Sequence, residues 1–189
     1  MNILIINGHP GHESFSEKAS QAIQKGAHHH CVKVLALKKL EFDLSLRNGY
    51  RGNELEADLI KAQSLIQWAD HLIWVYPTWW WNMPALLKGF IDRVFVPGFA
   101  FQYEEGATFQ TRLLKGKTAS IILSMDSPAW YNRVVMRNVV LFNMRKGILD
   151  FCGIKTKKVF VVDNYHKLSA QKKAKWLRTF ERLGSKLAA

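Results

Sequence analysis

The sequence predicts an α/β fold, a three-layer sandwich built on a five-stranded parallel sheet in the strand order 2-1-3-4-5 with helices on both faces. Short apolar, β-branched runs alternate with segments of helical periodicity along the chain. The runs are apolar throughout rather than every second residue, as strands covered on both faces are. No repeat or low-complexity linker interrupts the 189 residues, a length that fits one domain with a sizeable core.

Asn2–Asn7 (NILIIN), closed by Gly8, reads as the first strand. Ser14-Phe-Ser-Glu17 has the spacing of a capping box, so a helix starts there and runs to about Gly26. Cys31–Leu37 is the second strand. Leu55, Leu59, Ala62, Ile66 and Ala69 recur at helical spacing and make Glu54–Ala69 an amphipathic helix. His71–Tyr76 is the third strand, stopped by Pro77. Met83 to Phe95 reads as a helix with Pro84 tolerated in its first turn, and Thr118–Ser124 as the fourth strand. Val134 to Phe151 looks helical and closes at Gly153. Lys158–Val162 is the fifth strand, and Ala170, Ala174, Leu177, Phe180 and Leu187 mark a last helix.

Composition narrows the function. Apolar residues make up 48% and charged residues 22%, which excludes wholesale disorder. Two cysteines, Cys31 and Cys152, with no CxxC spacing give no disulfide framework and fit a reduced, cytoplasmic setting. The opening MNILIINGHPG has no basic segment ahead of its apolar run, so no signal peptide is expected. The most apolar stretch, Leu72 to Leu87, is interrupted by Pro77, Thr78, Asn82 and Pro84, so no membrane insertion is expected. His28-His29-His30 send consecutive side chains in diverging directions, and no metal site is expected.

The net charge of +12 is uneven: residues 133–189 hold 14 basic and 3 acidic side chains, while residues 1–132 hold 13 and 12. Such an excess raises the question of nucleic acid. No RNA-binding motif surrounds Trp176 and Phe180, however, and Lys172, Lys173 and Lys175 read as the solvated face of the last helix, so no nucleic-acid partner is expected.

In open parallel sheets ligands bind beyond the carboxyl ends of the strands, where the strand order reverses. Three loops meet there: Gly8–Ser16, Pro77–Asn82 and Met125–Tyr131. The first lacks both GxGxxG and GxxxxGK[ST], which argues against a Rossmann dinucleotide site and a P-loop. It carries His9, two glycines, Ser14 and Ser16 to a helix N-terminus, a place that attracts phosphate, unless Ser14 merely caps the helix and His9 is a solvated loop residue. The second, PTWWWNMP, puts Trp79, Trp80 and Trp81 in a row beside Pro77 and Thr78. A planar conjugated cofactor explains them better than packing alone, though at least one should be structural. The third adds Asp126, Ser127, Trp130 and Tyr131.

PTWWWNMPALLKGFIDRVFVPGFAF closely resembles the signature P-x-x-W-[FW]-x-x-P-A-x-L-K-G-x-x-[DE]-R-V-F…GFA[YF] of the NAD(P)H:quinone oxidoreductases, flavodoxin-like flavoenzymes. The opening strand, His9 and Ser14-Phe15-Ser16 resemble the family as well, as does LDFCGI at 149–154, so the likeness spans about residues 3–160. It implies a flavin whose phosphate end meets His9, Phe15 and Ser16 and whose ring runs beside Thr78, Trp79, Trp80 and Trp81. It also implies that Phe101 and Tyr103 line a nicotinamide and quinone pocket, usually from the partner subunit of a homodimer. The best-known members have Thr-Thr-Gly-Gly where this chain has Asp126-Ser127-Pro128-Ala129, and a bacterial branch resembles D-[ST]-P-x-W-Y-x-R, matching Asp126 to Arg133.

The resemblance further implies a ping-pong cycle in the cytoplasm, with NAD(P)H as donor and a quinone-like acceptor using one pocket in turn. Tyr131 is the candidate catalytic residue, to stabilise charge on the flavin or to donate to the acceptor. The short chain favours FMN over FAD, and the basic C-terminal third can steer an anionic nucleotide such as NADPH. An alternative reading is a flavin-bearing ancillary subunit of a potassium-efflux or other membrane assembly.

Overall fold

The computed structural model describes residues 1–50 and 54–187. Its main sheet is parallel, in the order β2-β1-β3-β6-β7, from β1 (Asn2–Asn7), β2 (Cys31–Ala36), β3 (His71–Pro77), β6 (Thr118–Ser124) and β7 (Lys155–Val162). That is the expected 2-1-3-4-5 order of the main sheet. A separate two-stranded antiparallel ribbon, β4 (Phe101–Gln102) with β5 (Thr111–Arg112), lies between β3 and β6 in sequence and was not legible there.

All residues of β3 are buried, because it pairs with β1 on one side and β6 on the other while helices cover both faces. Side chains alternate between two cores. Leu72, Trp74 and Tyr76 join the larger one under α2 (Ala57–Trp68) and α3 (Ala85–Val94). Ile73 and Val75 join the smaller one under α1 (Phe15–Gly26) and α6 (Ala170–Ser185). α1 and α6 cross closely at two glycines. A Cβ at Gly26 would stand 1.8 Å from the Glu181 carbonyl oxygen, and one at Gly184 2.4 Å from that of Ile23. Only glycine lets the backbones approach so far, and this contact fixes the tilt of α1 and hence where its N-terminus points.

Several boundaries move by one to three residues, as helix and strand ends do. α2 starts at Ala57 rather than Glu54, and β7 starts at Lys155 rather than Lys158. The larger correction concerns the helix expected over Val134 to Phe151. The chain forms α4 (Ala129–Val134), breaks at Arg137 and Asn138, and resumes as α5 (Val139–Phe142), which runs into a π-helical segment, Asn143–Asp150. The break is tertiary in origin: the buried Asn132 holds Asn138 by a side-chain bond of 3.0 Å and a backbone bond of 2.8 Å.

At the amino end of the sheet the buried His71 places Nδ1 2.6 Å from Thr118 Oγ1 and Nε2 3.0 Å from Ser120 Oγ. Burial first, then Lys158 and Lys157, lower its pKa to about 4. The unfolded chain therefore takes up this proton first, so the native state loses stability as pH falls from about 6.5 to about 4 and gains no pH dependence from this group above that range. The loss amounts to roughly 3 kcal/mol by linkage. Urea unfolding at pH 7.5 and pH 4 should show His71→Gln losing less stability between the two pH values than the native chain; equal losses would refute this.

Candidate functional site

Each loop beyond the carboxyl end of the sheet begins with its first residue still tied to the neighbouring strand. Gly8 N–H donates to Val75 O at 2.9 Å, Thr78 N–H to Ser124 O at 2.7 Å and Met125 N–H to Val162 O at 2.9 Å. The loops start side by side and enclose a cavity of about 310 Å³.

In the first loop a Cβ at Gly8 would meet Leu87 at 2.9 Å, so glycine lets the chain leave the sheet over α3. Asn7 Oδ1 accepts the His9 N–H at 3.1 Å, and His9 Nδ1 accepts the Gly11 N–H at 2.9 Å. The ring proton therefore sits on Nε2, which is left as a donor. Burial, the largest influence, lowers the His9 pKa, so the ring is neutral at pH 7. Ser14 caps α1 by accepting the Glu17 N–H at 3.2 Å. Phe15 and Ser16, the first helical residues, present N–H groups with no helical acceptor. Glu17 Oε2 accepts from Lys38 Nζ at 2.8 Å, and the same ammonium lies 3.4 Å from Gly11 O, so a largely buried lysine ties the loop to the helix.

In the second loop Trp79 and Asn82 exchange two backbone hydrogen bonds of 2.9 Å around a two-residue turn. Trp80 and Trp81, its central pair, have φ of 50° and 56°. That is the sign pattern of a type I′ turn, normally filled by Asn-Gly, and holding tryptophans there costs on the order of 1–3 kcal/mol each. Their N–H groups have no acceptor among the described residues. Trp79 stands edge-on to His9 at 5.7 Å, Trp81 packs on the core and against Tyr131 at 5.6 Å, and Trp80 is 98% exposed. Trp81 is thus the structural member of the three. The Thr78 hydroxyl is buried in the cavity wall without a partner.

In the third loop Asp126 Oδ1 accepts the His166 N–H at 3.1 Å, and its Oδ2 lies 3.2 Å from His166 Nε2. Asp163 accepts the Ala129 N–H at 2.9 Å and so caps α4 from the loop after β7.

Of the residues picked from sequence, His9, Ser14, Phe15, Ser16, Pro77, Thr78, Trp79 and Asp126 line this one cavity. Trp80, Trp81, Ser127 and Tyr131 lie outside its wall, where Tyr131 packs against Trp81 and Trp130. Phe101 and Tyr103 do not come to it. They line a second cavity of about 450 Å³ with Tyr50, Phe95, Phe151 and Cys152, where Phe101 is buried and meets Tyr103 edge-on at 5.7 Å. Burial pushes the Cys152 thiol up to about 12, which makes it inert. Sequence reading missed Lys38, and it missed Tyr165 and His166, which add a fourth wall to the first cavity. Among the described residues no His/Cys/Asp/Glu cluster suits a metal ion, and no helix is long and apolar enough to cross a membrane.

The model of a family described as flavodoxin-like fold matches residues 1–184. The chain belongs to that flavodoxin-like family. The protein Smu.1420 from Streptococcus mutans UA159 superposes with a TM-score of 0.85 at 32% identity, covering 99% of this chain and 100% of that one. The NAD(P)H:quinone oxidoreductase from Methanothermobacter marburgensis superposes with a TM-score of 0.83 at 25% identity, covering 100% and 99%. In sequence, the ribosyldihydronicotinamide dehydrogenase-like protein traD of Penicillium crustosum is 28% identical over 214 residues, 94% of this chain and 79% of that protein. Within the flavodoxin-like family these relatives support the NAD(P)H:quinone oxidoreductase group that the tryptophan motif resembles. The chain spans about half the length of the mammalian quinone dehydrogenases it matches.

The strained tryptophan turn yields a prediction. Trp80→Gly should keep or raise thermal stability, since the exposed indole makes no ring contact among the described residues and glycine adopts positive φ freely. A melting temperature lowered by more than a few degrees would show that the turn is not strained as described.

Proposed function

We propose that the protein is a flavin-dependent NAD(P)H:quinone oxidoreductase. The observation that carries this reading is the meeting, in one cavity, of the open start of α1 with the buried Thr78 hydroxyl, which has no partner, while the turn that continues from Trp79 outside the cavity wall leaves the Trp80 and Trp81 N–H groups without acceptors among the described residues. These are the groups a flavin needs: donors for its phosphate at one end and for the edge of its ring at the other. Bound there, a flavin supplies hydride chemistry between a nicotinamide donor and a two-electron acceptor.

The chain's own residues do the rest. Neutral His9 offers Nε2–H to the phosphate, and the N–H groups of Phe15 and Ser16 add the field of the helix terminus. Trp79 gives an apolar wall to the ring, and Tyr131, held against Trp81, offers a hydroxyl to the acceptor or to charge developing beside it. FMN is the favoured flavin. The protein acts as one domain and as a homodimer in the cytoplasm. The exposed apolar side chains of Trp130, Val134 and Val135 support an interface along α4. The second cavity, with Phe101 and Tyr103, then faces the flavin of the other protomer and receives nicotinamide and quinone in turn.

Two experiments test this. The purified protein should be yellow, or take up FMN or FAD stoichiometrically, and should then oxidise one equivalent of NAD(P)H per flavin without acceptor and many equivalents once a quinone is supplied in excess; a colourless protein that binds neither flavin refutes the reading. Tyr131→Phe should slow the quinone half-reaction by about tenfold or more, the order expected from removing one hydrogen-bond donor to developing charge. An unchanged rate would remove Tyr131 from the mechanism.

A further inference from the structure

The break between α4 and α5 opens a cavity of about 260 Å³ lined by Arg137, Asn138, Leu141, Phe142, Arg145 and Lys146. Three cations and no carboxylate face it. Lys146 is partly neutralised by Asp150 at 2.7 Å, whereas Arg137 and Arg145 make no ion pair among the described residues. Beside them Phe142 is 65% exposed, an aromatic ring with no packing role to account for it.

The turn that presents Arg137 is built rather than loose. Arg137 and Asn138 have φ of 47° and 54°, which for non-glycine residues is strained. The strain is held by Asn132, buried to 2% exposure, whose side chain donates to Asn138 Oδ1 and whose carbonyl accepts the Asn138 N–H. The same short helix carries Tyr131, whose carbonyl accepts from both Val135 and Met136 and whose ring lies against Trp81. The basic cavity is therefore anchored, through Asn132, to the short helix that carries Tyr131.

We propose that this cavity binds the 2′-phosphoadenosine end of NADPH, with Arg145 and Arg137 engaging the phosphate and Phe142 covering the adenine. A phosphate monoester carries about two negative charges and three acceptor oxygens, which match two unpaired guanidinium forks. An exposed aromatic ring at their side suits a purine face. The assignment rests on the oxidoreductase reading above and makes the protein selective for NADPH over NADH. It also gives part of the basic C-terminal third a specific ligand.

The test compares kcat/KM for NADPH and NADH in the flavin-loaded enzyme, and the calorimetric affinity of adenosine 2′,5′-bisphosphate and of 5′-AMP for the protein. Arg145→Gln removes one guanidinium. Arg137→Asn removes the other with a residue that tolerates positive φ. The native protein should prefer NADPH by about tenfold or more, and each variant should lower the NADPH/NADH ratio about tenfold, chiefly through KM for NADPH, in line with the loss of a charge-assisted contact. The bisphosphate should bind the native protein more tightly than 5′-AMP, and that difference should shrink in both variants. A native enzyme indifferent to the 2′-phosphate, or a ratio unmoved in both variants, overturns the proposal, and so does an equal loss for both nucleotides, which is long-range steering. If no nicotinamide is turned over yet the bisphosphate binds and Arg145→Gln releases it, the site stands and the oxidoreductase reading falls.

Discussion

The register of β3 is the constraint on which the rest of the molecule depends. Parallel pairing sets Asn7 beside Val75 and Pro77 beside Ser124, so β1, β3 and β6 end at one edge of the sheet. The backbone bonds of Gly8, Thr78 and Met125 extend those ladders by one residue into each loop. The loops therefore begin at fixed separations and carry that precision outward. A slip of one residue in β3 would exchange its two buried faces and also displace the Trp79–Asn82 turn from His9. The all-apolar composition of the strand excludes such a slip poorly by itself. The size difference between its faces, Trp74 and Tyr76 on one and Ile73 and Val75 on the other, excludes it well, because close-packed cores do not accept such exchanges of volume.

The second control is the placement of α1. A helix terminus attracts an anion only within about its first turn, so an error of a few ångströms removes the effect. Gly26 and Gly184 bring α1 and α6 to backbone contact at one end, and Lys38 holds the other end through Glu17 and Gly11. The lysine does not add its full charge to the cavity, because the carboxylate of Glu17 lies 2.8 Å away. What the cavity presents at this end is a set of oriented N–H groups and the neutral His9. Such a site selects by geometry more than by net charge, in agreement with the near neutrality of residues 1–132.

Legibility in the sequence followed the physical origin of each feature. The five main strands and most helices could be read because burial imposes a period on the residues that undergo it. The β4–β5 ribbon could not, since two residues per strand show no period. The break at Arg137 and Asn138 could not either, because neither residue is a helix breaker and its cause, Asn132, is an ordinary residue until it is buried. In the cavity, the conspicuous loops were read from their composition, but Tyr165 and His166 come from a loop of unremarkable residues, and Lys38 looks like any surface lysine. Phe101 and Tyr103 show a further limit. A resemblance can assign residues to a pocket, but the fold of the chain gathers Phe101 and Tyr103 into a different cavity from the one its loops enclose.

The distribution of strain ties these features to function. The described non-glycine residues with positive φ are Glu13, Trp80, Trp81, Arg137, Asn138 and Asn164. All lie in segments that follow the carboxyl ends of β1, β3, β6 and β7; none lies at the amino ends. Strain of this kind persists only where the surroundings over-determine it, and three of the four turns have a visible restraint. The mutual bonds of Trp79 and Asn82 hold the second loop, Asn132 holds the α4–α5 break, and Asp163, which accepts from both Ala129 and the Asn164 side chain, holds the fourth. A fold under selection for stability alone would place glycine or asparagine at Trp80 and Trp81 and lose nothing in the core from the exposed Trp80. Keeping bulky side chains in a turn that disfavours them, with their N–H groups left open, is the arrangement expected when a flat ligand rather than the protein supplies the missing contacts.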